Sequence, residues 1–212
     1  MDGGIMASEY LNRTNQTFED PILDEMKQLA TKKQIPIISE EGIRLILHLI
    51  QVGKYKRVLE IGTAIGYTSY SISKYTQASV VTIERNPELV NQAKEFISHS
   101  EAKERITFIE GDALEISTET IGLFDLIFID AAKAQYIRFF EKFEPLLLQG
   151  GIIVTDNLLF HGFVENPKSI LSRNRKQLVN KINKFNQWLL HKSDYDSYIY
   201  EIGDGMAISY KK

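Results

Sequence analysis

The chain has 212 residues, a net charge of −3 and 43% hydrophobic residues, which suits one domain with a full buried core. That charge gives no sign of a nucleic-acid or membrane partner across the whole chain. The lack of cysteine excludes disulfides, thiolate catalysis and zinc sites built on cysteine. With no signal-peptide pattern and no apolar run of roughly 18 residues, the sequence predicts a cytoplasmic protein that does not span a membrane.

The first quarter of the chain is predicted to form an arm followed by helices. Residues 1–20 are polar and without a clear pattern, so we expect an N-terminal arm. Residues 21–52 are expected to form N-terminal helices, with Asp20 and Ser39 as candidate N-caps. Residues 57–212 then form an alternating core, and we predict a single domain over 1–212.

From residue 57 onward, apolar strands alternate with helical stretches. Strands are predicted at 57–61, 79–84, 105–110, 124–130 and 150–156, and helices at 66–75, 87–98, 133–148 and 169–190. Continuous apolar strands separated by helices are typical of a parallel sheet covered on both faces. The last two strands, 197–202 and 206–211, are joined by Gly203-Asp204-Gly205. This link predicts a hairpin and therefore an antiparallel last strand.

Polar residues stand where the fourth and fifth strands end. Asp130 ends FDLIFID with Lys133 three residues on, and Asp156 and Asn157 end GGIIVTDN. Ligands of open α/β sheets bind outside the carboxyl ends of the strands. Three oxygen ligands there suit a hard cation such as Mg²⁺ or Mn²⁺, and a lysine beside it could act as a base. Each Asp could instead only cap the helix or loop that follows.

The first strand ends in a glycine-containing turn, EIGTAIG (60–66), which lets a ligand approach the backbone closely. Glu84 ends the next strand, 22 residues beyond Gly62, where an acid can hold ribose hydroxyls. The middle glycine of the dinucleotide pattern is missing, and Glu60 suits an ammonium group better than a pyrophosphate. Both features favour S-adenosylmethionine. Asp112, after the third strand, could face an adenine amino group or only close a turn.

Several segments together resemble the cation-dependent O-methyltransferases related to catechol and caffeoyl-CoA methyltransferases. They are LEIGTAIGYTS, IERNPELVNQAKEFI, GDALE, FDLIFIDAAKAQY, TDNLLFHG and IGDGMAIS, and the resemblance spans residues 21–211. Within that family the chain most resembles bacterial tRNA 5-hydroxyuridine methyltransferases, through IPI-x-x-x-EG (35–42), DNLLFHGFV and FNQWLLHKSDY. The resemblance implies an α/β, Rossmann-like class I methyltransferase fold, with a seven-stranded, mostly parallel sheet and helices on both faces.

The resemblance also implies roles for individual residues. The positions matched to S-adenosylmethionine binding are Ile37, Gly62, Tyr67, Glu84, Ala113 and Asp130, and Glu60 and Asp112 join them from the turns described above. Asp130, Asp156 and Asn157 are implied to bind the metal. Lys133 is implied to be catalytic, with Asp130 beside it. Relatives of this kind are often dimers, so we expect a homodimer.

A basic segment bears on the substrate. Residues 166–193 contain seven Lys and Arg residues and no Asp or Glu. Exposed helices usually mix charges, and cations are disfavoured near a helix start, so Arg173, Arg175 and Lys176 are expected to contact tRNA phosphates. A solvated helix face is the plainer interpretation of such a charge run.

With the resemblance, this segment predicts an enzyme, dependent on S-adenosylmethionine and Mg²⁺, that methylates 5-hydroxyuridine in a tRNA anticodon to 5-methoxyuridine. The alternative substrate is a small catechol or phenolic compound, which offers the same pair of adjacent oxygens. A nucleotide-binding oxidoreductase is disfavoured by the incomplete glycine pattern. A catalytically silent tRNA-binding module is disfavoured by the complete set of Asp130, Lys133, Asp156 and Asn157.

Overall fold

The computed structural model describes Tyr10, Thr14, Asn15 and residues 18–212. Most of the predicted arm over residues 1–20 therefore lies outside the described residues. Within the described ranges, no helix has the length and apolar character needed to cross a membrane.

In the described part of the chain, the helices α1 (Pro21–Lys33) and α2 (Glu40–Gly53) precede the sheet. Asp20 caps α1, since its Oδ1 accepts hydrogen bonds from the backbone N–H groups of Ile22 and Leu23 at 2.9 and 3.1 Å. The Ser39 hydroxyl caps α2 by accepting from the Gly42 N–H at 3.1 Å. Both predicted N-caps are confirmed, and each satisfies N–H groups that have no partner within the helix.

The alternating core contains the other helices and the strands that the structure describes. Its elements are β1 (Arg57–Ile61), α3 (Tyr67–Tyr75), β2 (Ser79–Glu84), α4 (Pro87–Ser98), β3 (Ile106–Glu110), β4 (Phe124–Ile129), α5 (Tyr136–Phe143), β5 (Leu147–Thr155), α6 (Arg173–Leu190), β6 (Tyr195–Tyr200) and β7 (Met206–Lys211). Short 3₁₀ turns lie at Glu101–Arg105, Lys133–Gln135, Glu144–Leu146 and Pro167–Ser169.

The strands form one sheet of seven in the order β3-β2-β1-β4-β5-β7-β6. The first five strands pair in parallel, and β7 runs antiparallel to both β5 and β6. This confirms the predicted seven-stranded sheet with an antiparallel last strand. All the parallel strands therefore end at the same edge of the sheet.

The largest departure from the predicted elements is the helix expected over 133–148. The structure has a 3₁₀ turn there, then α5, then a second 3₁₀ turn that contains Pro145. Proline lacks an N–H and cannot continue the helix, so the chain turns into β5 at Leu147 rather than at residue 150. The long helix likewise begins at Arg173 rather than at residue 169, after a 3₁₀ turn that starts at Pro167.

Helices cover both faces of the sheet, as predicted. Val58 and Leu59 are consecutive residues of β1, so their side chains point to opposite faces of the sheet. Both are fully buried, but each belongs to a different hydrophobic core. The first core includes residues of α1, α2 and α3, and the second includes residues of α5 and α6. Burying a large apolar side chain is worth roughly 1.5–3 kcal/mol, so the two cores together fix the strand ends in place.

Candidate active site

A cavity of about 890 Å³ opens at the carboxyl ends of the parallel strands. It is lined by most of the predicted site residues, namely Ile37, Gly62, Glu84, Asp112, Ala113, Asp130, Lys133, Asp156 and Asn157. Five other predicted site residues, Glu60, Tyr67, Arg173, Arg175 and Lys176, are not part of its lining. The carboxyl-end rule therefore brings most of the predicted cofactor residues and all three predicted metal ligands into one space.

Gly62 allows the turn after β1 to press against the end of β4. Its φ is +101°, and a Cβ at this position would lie 2.1 Å from the Asp130 carbonyl oxygen. The Asp130 N–H donates to the Ile61 carbonyl at 3.0 Å. The close approach requires glycine, and it places the turn directly beside Asp130.

Glu84 and Asp112 lie on the other side of the cavity and are held by backbone groups. The Glu84 carboxylate accepts from the N–H groups of Ala64 and Asn86 at 3.1 and 3.0 Å. The Asp112 carboxylate accepts from the Leu114 N–H at 2.8 Å, so it closes a turn and also lines the cavity. Both interpretations offered for Asp112 are compatible with this position.

Two residues predicted to contact the cofactor, Glu60 and Tyr67, are buried in the protein. The Glu60 side chain is 1% exposed and accepts hydrogen bonds from the hydroxyls of Ser69 and Thr82. Burial raises the pKa of Glu60 to about 7, although those two hydrogen bonds lower it. Tyr67 is 2% exposed and packs in the first core. The Glu60 carboxylate therefore binds Ser69 and Thr82 inside the fold and does not line the cavity, and its expected contact with an ammonium group stays a prediction.

The three predicted metal ligands lie next to one another. The Asn157 side-chain amide donates to Asp130 Oδ1 at 3.3 Å, and the Asn157 backbone N–H donates to Asp156 Oδ1 at 2.7 Å. Asn157 has a φ of +63°, which asparagine adopts more readily than most residues. A flip of its amide would turn the oxygen, rather than the nitrogen, toward Asp130.

The positive charge near Asp130 and Asp156 is too small to balance their two carboxylates. Burial raises the pKa of Asp156 to about 7, and the charge of Asp130 adds to the rise. Burial also raises the pKa of Asp130, against the effect of Lys133. The pKa of Lys133 is in turn lowered by burial, although Asp130, Asp156 and Asp204 oppose that shift. One half-buried lysine thus faces several enclosed carboxylates.

The chemistry of the donor set fits a divalent cation. In the described part of the chain, no three His, Cys, Asp or Glu side chains converge on one point. The predicted set consists instead of two carboxylates and one amide oxygen, from Asp130, Asp156 and Asn157. Such oxygen donors are those that Mg²⁺ prefers, and a bound cation would offset the missing positive charge.

The most informative residue that was not predicted to belong to the site is Asp204. It lines the same cavity, and its Oδ1 accepts from the His161 backbone N–H. The sequence predicted only a hairpin at this point. Because β7 is antiparallel to β5, with Ala207 opposite Thr155, the turn before β7 lies at the carboxyl end of β5. The predicted antiparallel strand was the signal that could have identified Asp204.

The predicted RNA-binding residues lie outside the cavity but close to it. Arg173, Arg175 and Lys176 are exposed at the start of α6. Leu178, on the same helix, lines the cavity. The start of α6 therefore borders the opening.

The model of the O-methyltransferase family matches residues 13–212 of the chain. The chain belongs to this family. A Staphylococcus aureus protein provisionally assigned as a caffeoyl-CoA O-methyltransferase is 36% identical, with a TM-score of 0.88 over 98% of each chain. O-methyltransferase ankF of Aspergillus thermomutatus is 30% identical over 72% of this chain and 70% of its own length. Podospora anserina methyltransferase PaMTH1, solved with SAH bound, is 25% identical, with a TM-score of 0.86 over 98% of this chain and 94% of its own.

These likenesses confirm the predicted O-methyltransferase family and the class I methyltransferase fold. The narrower resemblance to tRNA 5-hydroxyuridine methyltransferases stays a prediction. So do the Mg²⁺ requirement, the homodimer and the contact of the methyltransferase with tRNA.

Proposed function

We propose that this methyltransferase transfers a methyl group from S-adenosylmethionine to the 5-hydroxyl of 5-hydroxyuridine in a tRNA anticodon. The proposal rests mainly on one observation, which is that a single cavity has two chemically different halves. Ile37, Glu84 and Ala113 line one half, and Asp130 and Lys133 line the other. The first half suits a nucleoside, and the second suits a hydroxyl that must lose a proton.

Binding of S-adenosylmethionine is supported by the family and by the contents of the first half. PaMTH1, which shares the fold, holds SAH. The Glu84 carboxylate at the end of β2 stands where ribose hydroxyls can donate to it. The apolar side chains of Ile37 and Leu114 provide walls for a flat base.

In the second half, Asp130, Asp156 and Asn157 would hold the divalent cation. A cation bound there supplies Lewis acidity that lowers the pKa of a hydroxyl. Asp156 is fixed for this role by Tyr136, whose buried hydroxyl donates to the Asp156 carbonyl at 2.8 Å. Burial raises the pKa of Tyr136, so this hydroxyl keeps its proton and remains a donor.

Lys133 is the proposed general base. Burial lowers its pKa, which increases the share of the neutral amine that can accept a proton on Nζ. The 3₁₀ turn that carries Lys133 starts three residues after Asp130, so the amine stays with the carboxylates. Holding both reactants in line is worth up to roughly 7–11 kcal/mol of the barrier.

The start of α6 is the proposed contact with the tRNA backbone. An α-helix turns by about 100° per residue, so Arg175 lies on nearly the same side as Leu178, one turn earlier. Arg173 and Lys176 point to the opposite side of the helix. We therefore assign Arg175 to a phosphate at the cavity mouth, and Arg173 and Lys176 to more distant parts of the backbone.

The test uses purified enzyme, S-adenosylmethionine, Mg²⁺ and an anticodon stem-loop that contains 5-hydroxyuridine. Mass spectrometry of the digested RNA should detect 5-methoxyuridine, and a stem-loop with unmodified uridine is the matched control. Catechol is supplied in a parallel reaction. Methylation of catechol with none of the hydroxyuridine stem-loop would overturn the tRNA proposal.

A small phenolic acceptor is the second candidate function. It is favoured by the likeness to the Staphylococcus aureus protein provisionally assigned as a caffeoyl-CoA O-methyltransferase. The two hydroxyls of a catechol would use Lys133 and the same carboxylates. In this case neutralising Arg175 should leave the activity unchanged.

A further inference from the structure

Asn186 is a polar residue on the buried face of α6. It is 6% exposed, and the other buried residues of this helix are Val179, Ile182, Phe185 and Leu189. Asn186 lies four residues after Ile182 and three before Leu189, which is the spacing of a stripe that faces a core. An asparagine at such a position loses its contact with water, and this costs free energy unless its amide finds hydrogen-bond partners. The position therefore needs an explanation other than packing.

The amide of Asn186 reaches across to the loop that follows β5. Its Nδ2 donates a hydrogen bond to the backbone carbonyl of Leu158 at 3.1 Å. Its Oδ1 is shielded from solvent and has no hydrogen-bond partner among the described residues. A buried acceptor without a partner costs free energy, so the oxygen does not explain why the side chain is polar. The donation to Leu158 is the contact that an apolar residue could not make.

Leu158 directly follows Asn157, one of the three proposed cation ligands. Its side chain is fully buried, and its N–H donates to the Gly205 carbonyl at 2.9 Å. With the hydrogen bond from Asn186, the N–H and the carbonyl of Leu158 are both bound by other elements of the fold. The backbone on the carboxyl side of Asn157 is therefore fixed in position and in orientation.

The backbone on the other side of Asn157 is held in a similar way. The Asp156 carbonyl accepts from the buried hydroxyl of Tyr136, on α5, at 2.8 Å. Asn157 itself has a φ of +63°, in the left-handed region, which costs free energy even for asparagine. Because the carbonyls before and after it are both bound, Asn157 is kept in this conformation, with its amide 3.3 Å from Asp130 Oδ1.

We propose that Asn186 is a positioning residue for the cation, because its amide holds the Leu158 carbonyl and so keeps the Asn157 side chain turned toward the other cation ligands. The inference rests on the proposed function, in which Asn157 binds the cation. Side chains that hold metal ligands in orientation strengthen metal binding, and their loss typically costs roughly 10- to 100-fold in metal affinity. Asn186 does not line the cavity, so its effect should be confined to the cation.

The variant Asn186→Leu removes the donor and keeps the branched shape of the side chain. The Leu158 carbonyl then loses its partner, so the backbone around Asn157 should loosen. The matched control is Ile182→Val, which removes one methylene group from the same face of α6 and changes no hydrogen bond. Asn186→Ser is a second variant, for the case that leucine crowds the core. Its hydroxyl reaches less far than the amide nitrogen, so the effect should have the same direction.

The experiment measures the binding of Mn²⁺ to the enzyme with S-adenosylhomocysteine bound, using electron paramagnetic resonance to count the free ion. Asn186→Leu should raise the Kd for Mn²⁺ by roughly 10-fold or more, whereas Ile182→Val should change it by less than about 2-fold. The affinity for S-adenosylhomocysteine, measured by calorimetry without metal, should be the same in all variants. In methylation assays, the Mg²⁺ concentration for half-maximal activity should rise with the Kd, while kcat at saturating Mg²⁺ stays within about 3-fold of wild type.

A second measurement needs no cation. The Asn157 N–H donates to Asp156 Oδ1, and its hydrogen exchange can be followed by NMR in the metal-free protein. This group should exchange faster in Asn186→Leu than in wild type or Ile182→Val, because the loop has lost one of its anchors.

Other outcomes would overturn the inference. Unchanged Mn²⁺ affinity in Asn186→Leu and Asn186→Ser would show that the Leu158 contact does not position the cation ligand. Equal losses of affinity for Mn²⁺ and for S-adenosylhomocysteine would assign Asn186 to general packing. Asp156→Ala separates this failure from that of the proposed function. If Asp156→Ala binds Mn²⁺ as tightly as wild type does, the proposed cation site fails, and the inference fails with it.

Discussion

The two halves of the cavity differ in how their carboxylates are satisfied. In the half beside β1 and β2, Glu84 and Asp112 each accept hydrogen bonds from backbone N–H groups. In the half beside β4 and β5, burial raises the pKa of both Asp130 and Asp156, and Asp204 Oδ2 has no hydrogen-bond partner among the described residues, with His161 Nδ1 3.6 Å away. The carboxylates of the first half are satisfied by the folded protein itself, whereas those of the second half carry negative charge that the proposed cation would offset. Substitutions in the two halves should therefore have different consequences.

The largest effect is expected from Asp156→Ala. The loss of one proposed cation ligand should reduce kcat by roughly 1,000-fold, because the charge that develops on the acceptor oxygen loses its support. Affinity for S-adenosylhomocysteine, measured by calorimetry, should change by less than about 3-fold, because Asp156 lies in the other half.

Asp112→Ala is the matched control for Asp156→Ala, since it removes a carboxylate from the first half. It should weaken cofactor binding more than it lowers kcat. Near-normal turnover of Asp156→Ala in the presence of a chelator would contradict the proposed cation site and the difference between the halves.

Lys133→Ala should have the next largest effect, a reduction of kcat by roughly 100-fold. A base must be deprotonated to act, so the wild-type rate should rise with pH through the pKa of Lys133. Burial lowers that pKa, which places the rise below the usual value of 10.5. The variant should lose this rise, as measured by single-turnover rates across the pH range. An unchanged pH profile would exclude Lys133 as the base, and Lys103→Ala serves as a control on an exposed lysine.

Some residues of the cavity could be predicted from the sequence, and others could not. Asp130 and Asp156 were predicted because both end apolar strands, and the ends of parallel strands share one edge of the sheet. Glu60 also lies at the carboxyl end of a parallel strand, β1. Its side chain is bound by Ser69 of α3 and Thr82 of β2, and these contacts cannot be read from the local sequence. Asp204 depends on the strand order, which places the β6–β7 turn beside β5. Local patterns predict the elements and their ends, whereas side-chain direction depends on contacts that are distant in sequence.

Glu60→Gln tests the buried carboxylate of Glu60, which lies at the end of β1 and is bound by Ser69 and Thr82. The pKa of Glu60 is raised from 4.5 to about 7, so the folded state holds this proton more tightly than the unfolded state does. Its contribution to stability is therefore present below pH 4.5 and is lost as pH rises toward about 7. Glutamine cannot ionise, so the variant should gain about 2–3 kcal/mol relative to wild type between pH 4.5 and pH 8. Urea denaturation at several pH values measures this difference, and parallel pH profiles would contradict it.

The smallest effect is expected on α6, outside both halves. Arg175→Ala should reduce kcat/KM on the hydroxyuridine stem-loop by roughly 10-fold, because it removes a phosphate contact at the cavity mouth. Arg173→Ala is the matched control on the opposite side of the helix and should cost about 2-fold. In a plot of the logarithm of the RNA-binding constant against the logarithm of salt concentration, each change should make the slope shallower by up to about one unit. Each phosphate contact releases a counterion, and the variant makes one contact fewer. Equal effects of the two variants would show that α6 contributes only a diffuse positive field. No effect of either on RNA, with catechol methylated normally, would favour the phenolic acceptor and leave the second half of the cavity as the sole determinant of the substrate.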